Sequence, residues 1–282
     1  MNVRKLVPSR AIPFLRRQER RTTKPMLPYV ELHLTDHCNL NCKGCGHFSP
    51  IAQPWFADIT AHNNDMKRLA KLFSNISEIR LMGGEPLLHP MVTSFFASTR
   101  KYFPESAIHL VTNGLLFPKM RDDFWESCRE HRIIIDLTVY PSTVRDMNDM
   151  REKVVQNSID IRCSTITKFH AHKNLAGDSD PVEAMRVCRS KYFCPFLRSG
   201  RLYICAMPAL AHYFNDCFGT EIPAVGYVDI HSKEMTGKKC IELLNRPSPA
   251  CRFCSYDYPQ FDWQKSHKVK EEWDVRYYRA LT

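Results

Sequence analysis

Residues Thr35–Pro50 read TDHCNLNCKGCGHFSP and place Cys38, Cys42 and Cys45 in a C-x3-C-x2-C spacing. Three thiols this close suit one metal centre, and no fourth follows at that spacing. A structural zinc takes four protein ligands. An iron–sulfur cluster held wholly by protein takes four cysteines. A three-cysteine site leaves one metal position open, and open positions are where chemistry happens.

The residues just before this stretch, Tyr29–Leu34 (YVELHL), read as a buried strand. Further apolar runs end at Ile79–Met82 before GGEP, at Ala107–Thr112 (AIHLVT) before NG, and at Arg132–Tyr140 (RIIIDLTVY) before Pro141. Ser158–Ile166 (SIDIRCSTI) is a weaker fifth. Asn63–Phe73 and Val92–Tyr102 between them carry helical spacing. Strand–helix alternation predicts an α/β fold with a parallel sheet. Its site then lies at the carboxyl ends of the strands. The cysteine stretch, GGEP, TNG and YP each follow a strand directly, which places them together. No sixth barrel strand is visible, so a partial (β/α) TIM-type barrel is expected over residues 28–180. Beyond it, Cys188–Cys205 reads as a hairpin turning at Ser199–Gly200. Cys251-Arg-Phe-Cys254 and a Trp- and Tyr-rich tail follow.

The chain has 282 residues, 44% of them hydrophobic, enough for one large core with a small appendage. No apolar run approaches the ~20 residues that span a bilayer. The first residues lack the apolar region of a secretory signal. Twelve clustered cysteines at metal-ligand spacings point to a reducing cytosol rather than to a disulfide scaffold. Of the net charge of +10, residues 1–25 contribute +7. A basic N-terminal arm is thus expected over residues 1–27, either a solvated tail or a contact for nucleic acid or an anionic membrane surface.

Cys38, Cys42 and Cys45, followed after a strand by Gly83-Gly84-Glu85-Pro86, resemble the signature of the radical S-adenosylmethionine (SAM) superfamily. The resemblance implies a [4Fe–4S] cluster whose unique iron binds the amino and carboxylate groups of SAM. One electron then cleaves the carbon–sulfur bond, and the 5′-deoxyadenosyl radical removes a hydrogen atom from the substrate. Read physically, two residues without Cβ allow close backbone approach, and a carboxylate beside them can accept hydrogen bonds from an amine. The resemblance makes Gly84 and Glu85 the leading SAM contacts, within a segment that includes Gly83 and Pro86. Asn113 and Thr138, near the ends of the third and fourth strands, are candidate ribose or carboxylate contacts, or simply turn and strand-packing residues. The family often carries an aromatic residue just before the third cysteine. Here that residue is Gly44, so adenine packing is expected from elsewhere, with Phe48 as candidate. The HFSP segment (His47–Pro50) resembles a subgroup linked to sugar and glycan biosynthesis.

Five more cysteines, Cys188, Cys194, Cys205, Cys251 and Cys254, resemble the ligand set of a twitch domain, a shortened relative of the SPASM domain. That implies a C-terminal auxiliary-cluster domain over residues 181–282 with a second [4Fe–4S] cluster. Cys205, Cys251 and Cys254 would hold it with either Cys188 or Cys194, and a structural zinc at four of these positions is the alternative. Cys128, on a helix, and Cys163, on a strand, read as buried apolar residues. Cys217 and Cys240 fall near the presumed auxiliary site. Cys217, or a spare hairpin cysteine, is a candidate hydrogen donor if the reaction is an epimerisation. His170 and His172 follow the fifth strand and read either as exposed loop histidines or as substrate contacts.

The expected function is a SAM-dependent radical enzyme acting on a carbohydrate, aminocyclitol or similar small polar molecule, by dehydrogenation or epimerisation. Its electron source would be a one-electron reductant such as flavodoxin or ferredoxin. The competing enzyme reading is modification of a peptide or protein. The competing class is a non-catalytic iron–sulfur or zinc protein that binds nucleic acid through its basic arm.

Overall fold

The computed structural model describes residues 24–281. Nearly all of the basic arm lies outside the described residues. Five strands, β1 (Leu27–Thr35), β2 (Ile76–Gly83), β3 (Ala107–Thr112), β4 (Ile133–Val139) and β5 (Ile161–Thr165), run parallel in the order β5-β4-β3-β2-β1. Four helices connect them: α1 (Ile59–Leu72), α2 (Val92–Tyr102), α3 (Asp122–Glu130) and α4 (Met147–Gln156). Alternate strand residues, among them Val30, Leu32, Ile79, Leu81, Ile108, Leu110, Ile135 and Leu137, form the core with Met66, Phe95, Phe96, Trp125 and Val154 of the helices. The opposite strand parity, including Met82, Val111 and Thr138, is left to face a cavity.

The later elements are β6 (Lys168–His170), α5 (Pro181–Arg189), β7 (Phe196–Arg198), β8 (Arg201–Tyr203), α6 (Ala206–Phe218), β9 (Tyr227–Asp229), α7 (Gly237–Leu244), β10 (Gln260–Asp262) and α8 (Val275–Arg279). The expected hairpin is present as β7–β8. Ser199 and Gly200 adopt φ of 47° and 76°, the positive pair that a two-residue type I′ turn requires. The hairpin joins the sheet of the barrel. β7 pairs in parallel with β1, Glu31 opposite Phe196, so the sheet continues β1-β7-β8-β9. The buried Phe196, Leu197 and Leu202 cover what would otherwise be an open sheet edge. Among the described residues, no helix is long and apolar enough to cross a membrane.

Two contacts fix the cysteine loop. The first is backbone against backbone. Gly84 N–H donates to Thr35 O at 2.9 Å, and Glu85 N–H donates to His37 O at 3.0 Å. A Cβ on Gly83 would lie 2.0 Å from Thr35 O, and one on Gly84 2.1 Å from His37 O. The glycine pair is therefore required by the end of β1 itself, before any ligand is considered. The second contact is the C-terminal tail. Lys43 N–H donates to Gln264 O, Ser266 N–H to Asn41 O, and the Trp273 indole to Cys45 O at 2.8 Å. Gly44 has φ of 63°, and a Cβ there would meet the Phe261 ring at 2.8 Å and Glu272 O at 3.0 Å. The tail occupies the space beside residue 44, which accounts for glycine at that position.

Beneath the loop, Asp36 is fully buried and ties β1 to β7 and α6. It accepts from Arg198 Nη1 at 2.7 Å, Tyr213 OH at 2.7 Å and His33 Nδ1 at 2.7 Å. An ionised carboxylate can only accept, so His33 carries its proton on Nδ1. Burial alone would raise the Asp36 pKa, but the bonds and charges around it outweigh burial and lower it to about 2.

Two outcomes follow for stability. Gly84→Ala should cost at least about 3 kcal/mol, because its Cβ has only backbone to displace, and thermal melting followed by circular dichroism checks this. Asp36 has a depressed folded-state pKa, so its contribution is present above its unfolded value of about 4 and lost as pH falls towards 2. Denaturant titrations at pH 5 and pH 2.5 should show Asp36→Asn removing most of the roughly 2–3 kcal/mol acid-labile component assigned to this carboxylate.

Candidate active site

The carboxyl ends of β1–β4 surround a cavity of about 240 Å³ lined by Cys38, Cys42, Cys45, Gly83, Gly84, Asn113 and Thr138, with His47, Ser49, Tyr140 and Phe169 completing the wall. The three cysteines thus converge on one space together with Gly83, Gly84, Asn113 and Thr138 from the expected SAM contacts. Burial pushes Cys38 and Cys42 up to about 12, and a charge on Cys45 would raise each further. Three thiolates without a cationic core are therefore unfavourable here. N–H groups nonetheless point at the sulfurs. Trp263 Nε1–H donates to Cys42 Sγ at 3.1 Å, Leu40 N–H to Cys38 Sγ at 3.4 Å, and Asn113 Nδ2 lies 3.9 Å from Cys38 Sγ. Ser49 Oγ is buried in the cavity wall with no partner among the described residues. Such a donor set, with its orphaned hydroxyl, fits a metal–sulfur core carrying a polar ligand. Among the described residues, no three His, Cys, Asp or Glu side chains are spaced to hold a single metal ion. A cubane takes its thiolates at separate corners and does not need that spacing.

His33 Nε2 lies 3.1 Å from His47 Nδ1, so the Asp36 network reaches the cavity wall. Burial pushes His47 down to about 3 and keeps it neutral.

Three expected contacts are placed differently. Glu85 is 1% exposed and its carboxylate is already used. Oε1 accepts from Thr112 Oγ1 at 2.6 Å and Leu87 N–H at 3.1 Å, while Oε2 accepts from Asn113 N–H at 2.9 Å. It locks the ends of β2 and β3 together instead of facing the cavity, and burial raises it to about 7. Pro86 is buried at the first position of the short 3-10 helix Pro86–Leu88 and does not line the cavity. Phe48 is fully buried against Phe214 and Trp273, turned inward by a φ of 56°. The aromatic walls are Tyr140 and Phe169 instead. Tyr140 stands in the YP pair after the fourth strand, a signal of position without a signal of role. Trp263 and Phe169 carried no local mark.

A second convergence involves the other five cysteines. They come from the end of α5 (Cys188), the approach to β7 (Cys194), the residue capping α6 (Cys205) and the turn Pro249–Phe253 with its following residue (Cys251, Cys254). A charge on Cys188 would raise each of the other four thiols. Burial pushes Cys205 to about 12 and Cys251 and Cys254 to about 11. Cys194 also feels Glu31 of β1. His172 packs against Tyr258 with the rings tilted and 4.6 Å apart, and His170 Nδ1 lies 3.2 Å from Tyr258 O; neither lines the cavity at the strand ends. Cys128 and Cys240 are buried in the core. Cys163, expected to be buried, is exposed on the edge strand β5. Cys217 is exposed on α6 and lines no part of the cavity, so it is not placed to return a hydrogen atom there.

Residues 30–159 match the 4Fe-4S single cluster domain family. Among curated proteins, the chain is 34% identical over 97 residues to GTP 3′,8-cyclase of Geobacter sulfurreducens, covering 34% of this chain and 29% of that one. It is 30% identical over 99 residues to GTP 3′,8-cyclase of Helicobacter pylori, covering 35% and 31%. The chain thus spans about a third of the length of these relatives. Among solved structures, BtrN in complex with AdoMet and 2-DOIA aligns with a TM-score of 0.51 at 14% identity, over 82% of this chain and 94% of that one, a likeness of fold. Three cysteines at the mouth of a partial β/α barrel, with a glycine pair beside them inside the matched cluster domain, form the arrangement for which the chain resembles the radical SAM superfamily.

Proposed function

We propose that the chain is a radical SAM enzyme that acts on a small polar molecule, a carbohydrate or aminocyclitol, by dehydrogenation or epimerisation. The observation that carries this reading is the shared cavity of Cys38, Cys42, Cys45, Gly83, Gly84 and Asn113 at the strand ends. A cluster bound there would supply the single electron for reductive cleavage of SAM. Cys38, Cys42 and Cys45 hold the cluster, and Trp263 and the Leu40 amide stabilise the charge on its sulfurs. Gly83, Gly84, Asn113, Thr138 and Ser49 present polar groups to SAM, and Tyr140 and Phe169 offer ring faces to its adenine. Neutral His47 completes the wall of the cavity, and the tail covers the outer side of the cysteine loop.

Cys205, Cys251 and Cys254, with Cys188 or Cys194 as the fourth ligand, are assigned to a second [4Fe–4S] cluster in a twitch-like unit, because these residues gather around the end of α5, the start of α6 and the turn Pro249–Phe253. The alignment to BtrN over nearly its full length supports a small-molecule substrate. Twelve free thiols suit a reducing cytoplasm, where flavodoxin or ferredoxin would supply electrons.

Anaerobic reconstitution tests the assignment. The wild-type chain should carry about eight irons and release 5′-deoxyadenosine with SAM and dithionite. Cys42→Ala should keep about four irons and release none, whereas Cys217→Ala should match wild type. Zinc at the first set, or no 5′-deoxyadenosine under any reducing condition, overturns the reading. With an aminocyclitol substrate, a ketone product marks dehydrogenation, and solvent deuterium at one inverted carbon marks epimerisation.

A further inference from the structure

Lys173 belongs to the stretch FHAHKN (Phe169–Asn174) and lies between the two cysteine sets. Its backbone is fixed on both sides, bridged to Cys254 on one and to Asp274 on the other, with its carbonyl accepting from Val275 N–H at 2.7 Å. The residue is 8% exposed. Its Nζ stands 5.5 Å from the centroid of the Phe48 ring, which packs in one apolar cluster with Cys205 and Cys254. Phe48 in turn follows His47 in the wall of the SAM-side cavity. Among the described residues, no carboxylate forms an ion pair with this ammonium.

A buried charge without a counter-charge is costly. Its backbone pairs with that of Cys254, and the Phe48 ring nearest its ammonium packs with Cys205 and Cys254, so its surroundings belong to the second cysteine set. A cation beside a cluster favours the reduced, more negative form, and cluster potentials respond to local charge and burial.

We propose that Lys173 is the counter-charge of the second cysteine set and raises the reduction potential of the cluster held there. The inference rests on the reading of that set as a cluster site. Lys173 is a positioning residue: it acts through the cluster, not on substrate. A raised potential makes that centre a better electron acceptor, which an oxidation requires and an epimerisation does not.

The test uses the full chain, reconstituted anaerobically, with iron and sulfide counted and both clusters titrated by electron paramagnetic resonance. The first cluster is recognised as the one whose signal responds to SAM. In Lys173→Met, the second cluster's reduced-to-oxidised ratio at fixed potential should fall at least tenfold, a midpoint about 59 mV lower for one electron. Lys173→Arg should stay near wild type, and the first cluster should move little in either variant. If Lys173→Met fails to load the second cluster while Lys173→Arg loads it fully, the counter-charge role is supported. Lys173→Gln provides a second neutral variant for the same titration. Equal midpoints in wild type and a loaded neutral variant overturn the inference while leaving the two-cluster reading intact. A wild-type chain with only about four irons overturns both.

Discussion

The site depends on the place where the end of β2 lies directly on the end of β1. Gly83 and Gly84 sit so close to the Thr35 and His37 carbonyls that no side chain fits between them. That approach lets Gly84 and Glu85 donate backbone bonds to the turn that starts the cysteine loop. Glu85 extends the lock to β3 through Thr112 and Asn113. The consequence is positional. Cys38 and Asn113 are brought to one cavity because each strand end is bolted to the next. A glutamate that looks like a ligand contact in isolation is one of the bolts.

The other side of the loop is held by the chain's far end. Phe261, Trp263 and Trp273 reach Gly44, Cys42 and Cys45 respectively. An indole N–H aimed at a cysteine sulfur does little for a protonated thiol and more for a thiolate. The tail therefore serves both packing and charge. It also explains the departure from the family pattern at residue 44, since an aromatic side chain there would compete with Phe261 for the same volume.

The strand ends were legible because each apolar run stops at a residue that cannot continue it: the glycine pair that closes β2, Asn-Gly after β3, Pro141 after β4. The hairpin turn was legible from Ser199–Gly200, since a two-residue turn with positive φ has few sequence solutions. The pairing of β7 with β1 was not, because nothing local tells a short strand which distant edge it will cover. Phe48 illustrates the same limit. Its neighbourhood in sequence is the SAM-side loop, but Phe214 of α6 and Trp273 of the tail draw it into a different core. Lys173 carried no sign of its position, which depends on bridges to Cys254 and Asp274 far along the chain.

The two thiol sets raise one electrostatic problem twice. Burial opposes ionisation at Cys38, Cys42, Cys205, Cys251 and Cys254 alike. At the first set the protein answers with neutral N–H donors, and at the second with a single buried ammonium. Neither answer offsets several thiolates, so ionisation and acquisition of a cationic core must occur together. Part of the energy of binding such a core then becomes folding energy for the loop and the tail around it. The two answers also differ in effect. Dipoles favour a negative cluster only at close range, whereas a full charge acts over a longer distance in a medium of low polarity. A centre beside Lys173 is therefore held at a different electron affinity from one beside Trp263. Two otherwise similar cubanes in one small chain would in this way be driven apart in potential, and a directional flow of electrons between them needs that separation.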